Sequence, residues 1–118
     1  MNFQSIQNGK MIHLKLEEPR LDAAQAIHFK ETVRGIADTG TDYILLDMCS
    51  VDFMDSSGLG ALVSVMKYMG AEKRFEITGL TPMVEKVFKL TRMDEVFRVH
   101  NSVEAALSEM ETANESLS

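Results

Sequence analysis

The chain opens with short runs of apolar and polar residues that are typical of β-strands. Two such runs, Phe3 to Gln7 and Met11 to Leu16, flank the dipeptide Asn8-Gly9. Asn-Gly is the strongest short hairpin signal, because both residues tolerate the positive φ angles of a tight turn. In the second run every other residue is Ile or Leu, which is typical of a half-buried strand. The pattern therefore predicts a β-hairpin over residues 3–16.

The next segment changes to a helical period. Asp22 stands where a helix N-cap is expected, since its carboxylate can accept the unpaired N–H bonds of the first turn. Apolar residues then recur at helical spacing until Gly40, which is placed to follow the helix end. These apolar positions are Ala26, Phe29, Val33, Ile36 and Ala37. Residues 43–49 form a near-continuous apolar run, which predicts a central strand covered on both faces.

A second helix is expected directly after this central strand. Ser56 or Ser57 is predicted as its N-cap, and Gly70 stops it. Its apolar stripe has the i, i+3, i+4, i+7 spacing of a helix packed on a core. The members of the stripe are Leu59, Leu62, Val63 and Met66.

The alternation of strand and helix continues to the end of the chain. Residues 74–78 and 95–99 are predicted as strands, and Thr81-Pro82 opens the helix between them as N-cap and first helical residue. A last amphipathic helix follows, with Val103, Ala106, Leu107 and Met110 on its apolar stripe.

The order β-β-α-β-α-β-α-β-α predicts an α/β fold. Strands that alternate with helices favour a mainly parallel sheet, and the first hairpin adds an antiparallel edge. We expect a small mixed sheet of about five strands with helices packed on it. Residues 1–111 are predicted to form one domain, and residues 112–118 to be a frayed tail.

Charge and composition narrow the possible partners. The 118 residues carry a net charge of −6, and the 12 Lys and Arg are scattered, so the sequence favours neither nucleic-acid binding nor an anionic membrane surface. No apolar run approaches the roughly 20 residues of a membrane span. The single Cys49 fits a reducing compartment, so we expect a cytoplasmic location. A monomer that binds another protein is the resulting expectation.

One short segment is notable because it joins the central strand to the second helix. It reads Asp52-Phe53-Met54-Asp55-Ser56-Ser57-Gly58-Leu59-Gly60. In an open α/β sheet, ligands usually bind at the carboxyl ends of the strands, beside helix N-termini. A hydroxyl placed there lies next to backbone N–H groups that carry about +0.5 of a charge from the helix dipole. The segment is therefore the candidate functional site.

Two glycines in the opening turn of this helix need an explanation. Gly58 and Gly60 each cost about 1 kcal/mol relative to Ala in a helix. A missing side chain lets another backbone approach closely. The approaching group could belong to a partner protein or to a neighbouring element of the fold, and the sequence leaves both possibilities open.

The segment lacks the features of an enzyme active site. A nucleophile elbow needs Gly-x-Ser-x-Gly, but Met54 or Asp55 occupies the first glycine position, and none of the three dispersed histidines is a convincing base. Gly58-x-Gly60-x-x-Val63 is half of a dinucleotide fingerprint without its third glycine. No Cys or His pair has metal-ligand spacing. We therefore expect a binding protein and not an enzyme, with no cofactor and no metal.

Asp55 to Gly60 resembles the signature of the STAS family, the anti-sigma factor antagonists of bacterial partner-switching systems. Leu21-Asp22 is similar to the Leu-Asp pair that precedes the first helix of the family, and residues 101–107 resemble its closing helix. The order of elements matches too, so the resemblance covers nearly the whole chain. It implies the STAS fold and a regulatory protein that binds other proteins.

The resemblance also implies a cycle of phosphorylation. In this cycle the unphosphorylated protein binds an anti-sigma factor, itself a serine kinase of the histidine-kinase-like ATPase fold, and relieves the inhibition of that factor's target. Phosphorylation by the kinase releases the protein, and a PP2C-type phosphatase restores the active form. Ser56 matches the phosphorylation site, and Ser57 is its neighbouring hydroxyl. The implied switch surface comprises Asp22, Asp55, Ser57, Gly58, Leu59 and Gly60.

Two loops depart from the family pattern and leave the partner open. Pro19-Arg20 stands where relatives usually have Gly before Leu-Asp, and Thr91-Arg92-Met93 replaces a turn that commonly contains Gly. The target could be a sigma factor or an effector of another output, such as biofilm or exopolysaccharide production. The alternative function is a STAS-type sensory or scaffold module that binds a small ligand or a nucleotide.

Overall fold

The computed structural model describes the backbone of residues 1–117 and the side chains of residues 1–110. Within residues 1–117, seven strands and five helices follow one another. They are β1 (Phe3–Asn8), β2 (Met11–Leu16), β3 (Arg20–Leu21), α1 (Ala23–Ala37), β4 (Tyr43–Asp47), β5 (Phe53–Met54), α2 (Ser56–Met69), β6 (Arg74–Thr78), α3 (Pro82–Thr91), α4 (Met93–Val96), β7 (Val99–His100) and α5 (Val103–Leu117).

Five of these strands form the main sheet, in the order β1-β2-β4-β6-β7. β1 pairs with β2 in the antiparallel direction, and the other neighbours are parallel. The prediction of a small mixed sheet of about five strands is confirmed. The remaining two strands, β3 and β5, are only two residues long and pair with each other in parallel.

The two faces of the main sheet are covered differently. On one face, α1, α2 and α3 bury the larger core, in which Leu14, Leu46 and Ile77 of three adjacent strands are completely buried. On the opposite face, Ala106 of α5 packs with Met11, Tyr43 and Leu45. The central strand β4 is buried along its whole length, as its continuous apolar run predicts.

The N-terminal half of the fold follows the sequence pattern closely. Asp22 caps α1, and the buried residues of this helix are Ala26, Phe29, Val33 and Ala37. Ile36, which shares the predicted stripe, is only partly buried against the core.

The apolar stripe of α2 differs from the prediction. Leu59, Val63 and Met66 lie at the flank of the buried face and are only partly buried. The fully buried positions are Gly58, Ala61, Leu62, Val65 and Met69. The helix is rotated relative to the predicted orientation because Gly58 packs against the backbone of Leu21. The residues that share the helical face of Gly58 therefore point toward the core.

Residues 95–99 were predicted as one strand, and this prediction is wrong. Arg92 has the left-handed φ angle of 59°, which ends α3 and allows the short helix α4 to begin at once. Phe97 is then buried, with its ring 6.2 Å from the rings of both Phe75 and Phe88. Because this contact fixes the chain after α4, pairing with β6 starts only at Val99.

The helix α5 extends to Leu117. The predicted frayed tail, residues 112–118, lies outside the residues whose side chains are described, and it stays a prediction.

Candidate functional site

The strands β3 and β5 lie side by side and lead directly into α1 and α2. Arg20 pairs with Phe53 and Leu21 with Met54, so the two helices begin next to each other. Because side chains alternate along a strand, Leu21 and Met54 are buried while Arg20 and Phe53 point outward. The two strands thus present both helix N-termini at one edge of the molecule.

Asp55 fixes these helix N-termini relative to each other. Its Oδ1 atom accepts a hydrogen bond of 3.0 Å from the backbone N–H of Gly58, which caps α2. Its Oδ2 atom accepts a bond of 3.2 Å from the backbone N–H of Ala23, in the first turn of α1. One carboxylate therefore satisfies donors on two helices, and it lies at the positive end of both helix dipoles.

The prediction that Ser56 or Ser57 caps α2 is wrong. Ser56 is the first residue of the helix, and Asp55 occupies the cap position. Asp accepts N–H bonds with a charged carboxylate, which is a stronger acceptor than a hydroxyl. Both serine side chains are exposed on the first turn.

Asp22 has the equivalent position at the start of α1. Its Oδ1 atom accepts a hydrogen bond of 3.1 Å from the backbone N–H of Ala24, as the N-cap prediction requires. Its Oδ2 atom accepts a second bond of 3.1 Å from Nε of Arg20. Asp22 and Asp55 are therefore neighbouring caps, each held in place by its own hydrogen bonds.

The two glycines of α2 have different surroundings. A Cβ atom on Gly58 would lie 2.2 Å from the backbone oxygen of Leu21, so this glycine is required by close approach within the fold. A Cβ atom on Gly60 would meet nothing within 4 Å, and this residue is exposed. Between them, Leu59 is partly buried against the core. Of the two glycines, Gly60 is the one that leaves open space on the surface.

Arg20 was missed as a functional candidate, and Phe53 was named only as part of the segment that joins the central strand to the second helix. The guanidinium of Arg20 lies over the ring of Phe53, at 4.2 Å from the ring centroid. Phe53 is 37% exposed, and the Arg20 side chain is 55% exposed. Their positions in the sequence could have linked them, because each residue lies two positions before a capping Asp. Residues two positions apart in a strand point to the same side.

A separate polar cluster lies away from this site, at the strands β4, β6 and β7. The carboxylate of Glu76 accepts hydrogen bonds from Tyr43, Arg74 and the ring of His100. Burial by itself raises the pKa of Glu76, but these bonds outweigh burial and hold the pKa below its usual value. Burial and the bond to Glu76 together raise the pKa of Tyr43. This cluster stabilises the sheet.

A shallow cavity of about 340 Å³ lies beside this cluster, at the carboxyl ends of β6 and β7. Its lining includes Leu80, Phe88, Lys89, His100 and Asn101. The ammonium group of Lys89 is already paired with Glu85 at 2.9 Å. The cavity could admit a small molecule, but the described residues that line it offer no free cation for a phosphate group.

Two further properties of the described residues bear on function. Within residues 1–117, no helix combines the length and the apolar composition that crossing a bilayer requires. The described side chains also include no group of three or more His, Cys, Asp or Glu arranged to hold a metal ion.

Comparisons with known proteins agree with the geometry. The chain is 24% identical over 105 residues to the anti-sigma-B factor antagonist of Staphylococcus aureus, covering 88% of this chain and 96% of that protein. An anti-sigma factor antagonist from Mycobacterium paratuberculosis has a similar structure, with a TM-score of 0.82, 18% identity and 92% of each chain covered.

The anti-sigma factor antagonist SpoIIAA of Bacillus also has this fold. Its unphosphorylated form has a TM-score of 0.67 at 19% identity, covering 94% of this chain and 98% of SpoIIAA. Its phosphorylated form has the same TM-score at 20% identity, covering 92% of this chain and 99% of SpoIIAA.

A match over most of the sequence identifies the family of this chain. The STAS domain family matches residues 2–106, from the first strand to the buried Ala106 of α5. The chain therefore belongs to the STAS domain family.

Proposed function

We propose that this protein is a phosphorylation-gated binding switch of the anti-sigma factor antagonist type, with Ser56 as its phosphorylation site. The observation that carries the proposal is the position of Ser56. It is exposed on the first turn of α2, directly after the carboxylate of Asp55 that links two helix N-termini. A kinase can reach such a hydroxyl without opening the fold.

The proposed cycle has two protein partners. The unphosphorylated protein binds an anti-sigma factor that is also a serine kinase of the histidine-kinase-like ATPase fold, and this binding frees the factor's target. The kinase phosphorylates Ser56 and the complex separates. A PP2C-type phosphatase removes the phosphate. The name of the Staphylococcus aureus relative supports the first step, and the two solved forms of SpoIIAA support a role for phosphorylation.

The proposed docking area, here called the switch surface, lies around the N-termini of α1 and α2. It consists of Asp22, Asp55, Ser56, Ser57, Leu59 and Gly60. Outside the adjoining backbone of its own helix, nothing lies within 4 Å of a Cβ position on Gly60, so a partner's backbone can approach closely there. Gly58 contributes indirectly, because it lets α2 pack against Leu21 and so fixes the position of the first turn of α2.

A phosphate on Ser56 should act on docking and leave the fold intact. It adds about −1.5 to −2 charges to a protein of net charge −6. At a helix N-terminus this charge is favourable, although Asp22 and Asp55 oppose it. A dianion enclosed by a partner's surface costs several kcal/mol, and each 1.4 kcal/mol is about tenfold in affinity. Both the unphosphorylated and the phosphorylated form of SpoIIAA have a fold similar to that of this chain, which supports a modification that leaves the fold intact.

Incubation with the kinase partner and ATP tests the proposal. Mass spectrometry of the peptide should find about 80 Da, the mass of one phosphoryl group, on Ser56. Ser57→Ala is the matched control, because Ser57 is also exposed on the same turn, and this variant should still be phosphorylated. Ser56→Ala should bind the partner without being released. Phosphate on Ser57 alone would contradict the assignment.

The output of the switch depends on its partner. The released target is a sigma factor or an effector of another process, such as biofilm or exopolysaccharide production. Failure of every candidate kinase, together with a ligand-dependent rise in melting temperature, would instead favour a sensory module that binds a small ligand or nucleotide. The cavity at the ends of β6 and β7 is the candidate place for a small ligand without a phosphate group, because its described lining offers no free cation.

A further inference from the structure

We propose that Arg20 is a positioning residue for phosphorylated Ser56, and that its guanidinium moves from Asp22 to the phosphoryl group when Ser56 is modified. The inference rests on the proposed function, since it concerns the modified state of the same serine. It assigns a role to a residue that lies outside the Asp55-to-Gly60 segment.

Arg20 already points toward the helix N-termini. Its side chain leaves β3 on the outward side and reaches Asp22, two residues further along, with Nε 3.1 Å from Oδ2. The next residue, Ala23, donates its backbone N–H to Asp55, and Asp55 directly precedes Ser56. A short chain of contacts therefore connects the guanidinium to the phosphorylation site.

The local charge balance gives Arg20 a distinct position. Residues 20–26 and 53–59 form the two short strands and the first turns of α1 and α2. Within these two segments, Arg20 is the one cationic residue. Asp22 and Asp55 are the two acidic residues of the same segments. A phosphate on Ser56 would raise the negative charge of these segments further, and Arg20 is the cation within them that can compensate for it.

The chemistry favours a change of partner over a static contact. Arginine binds phosphate with two parallel N–H bonds, and a dianion attracts it more strongly than the single charge of Asp22. In the unmodified protein only Nε of Arg20 bonds to Asp22, and the side chain is 55% exposed. The ring of Phe53, 4.2 Å below the guanidinium, supports the side chain without fixing its direction.

Titration of the phosphate itself tests the inference. The full chain is made with phosphoserine incorporated at position 56 during synthesis, so no kinase is needed, and the second pKa of the phosphate is followed by ³¹P NMR. Arg20→Gln should raise this pKa by about 0.5 unit, the shift expected for loss of an exposed ion pair. Arg20→Lys should give a smaller rise, because the charge stays and the bidentate geometry is lost.

Lys10→Gln is the control, because Lys10 is an exposed cation in the β1–β2 turn, before β2 begins. It should leave the phosphate pKa unchanged. Equal phosphate pKa values in the Arg20→Gln variant and in the parent chain would overturn the inference. A raised value in a protein that no kinase modifies would support the role of Arg20 while contradicting the proposed function, so the two failures are distinguishable.

Discussion

The carboxylate of Asp55 accepts a hydrogen bond from the backbone N–H of Ala23, 32 residues away in the chain. The same carboxylate caps α2 through Gly58, so the beginnings of α1 and α2 share one acceptor. Asp55 therefore has a structural role in the free protein. It holds the exposed Ser56 at a fixed place on the edge of the molecule.

Removal of this acceptor should destabilise the protein. Asp55→Ala leaves the N–H groups of Gly58 and Ala23 without their charged partner, and we expect a loss of about 2 kcal/mol in the free energy of unfolding. Asp55→Asn keeps one oxygen acceptor and should lose less. Urea unfolding at neutral pH measures both variants. An unchanged midpoint for Asp55→Ala would show that solvent replaces both bonds.

The two glycines of α2 should respond to alanine in opposite directions. Gly58→Ala places a Cβ atom 2.2 Å from the backbone oxygen of Leu21, so we expect a loss of about 3 kcal/mol. Gly60→Ala meets open space in a helix, and the higher helix propensity of Ala should raise stability by about 0.5 to 1 kcal/mol. Thermal unfolding of the two variants compares them directly. Similar destabilisation by both would contradict the different environments described for them.

Gly60→Ala also tests the switch surface separately from the fold. If a partner's backbone approaches Gly60, the added methyl group should weaken binding even though the variant is more stable. Isothermal titration calorimetry with the unphosphorylated proteins should show a loss of affinity of about tenfold, equivalent to 1.4 kcal/mol. Unchanged affinity would place the contact elsewhere on α1 or α2.

Acid should weaken the fold partly through Glu76. Its pKa is lower in the folded protein than its usual value of 4.5, because the bonds from Arg74, Tyr43 and His100 outweigh burial. The ionised form therefore stabilises the fold above pH 4.5, and this contribution is lost as the pH falls through the lower folded pKa.

Unfolding curves between neutral and acidic pH measure this contribution. Glu76→Gln should be less stable at neutral pH. Its free energy of unfolding should also fall less steeply than that of the parent protein as the pH is lowered. Glu72→Gln is the control, because Glu72 is exposed before β6, and its curve should parallel that of the parent. A Glu76→Gln curve that is also parallel would contradict the stabilising role of the carboxylate.

Local sequence patterns were sufficient to predict four strands of the main sheet and the first helix. The continuous apolar run of β4 and the N-cap Asp22 both depend on local patterns, and the structure confirms them. The strands β3 and β5 were not predicted, since a strand of two residues has no period. They exist because parallel pairing aligns the chain before α1 with the chain before α2.

The errors around the site have one physical origin, which is contact between distant segments. Asp55 replaces the serines as the cap because its second oxygen also serves Ala23, and α2 is rotated because Gly58 packs on Leu21. Neither contact leaves a pattern in the local sequence. The identity of Ser56 as a site came from the family signature, whereas its exposure came from the structure.

In the proposed switch, modification of Ser56 changes docking and not folding. Ser56→Asp, compared with Ser57→Asp as the control, tests it by measuring partner affinity and unfolding free energy on the same samples. We expect Ser56→Asp to lose at least about tenfold in affinity while its stability stays within about 1 kcal/mol of the parent. A Ser56→Asp variant that unfolds, or that binds the partner as tightly as the parent does, would contradict the proposed switch.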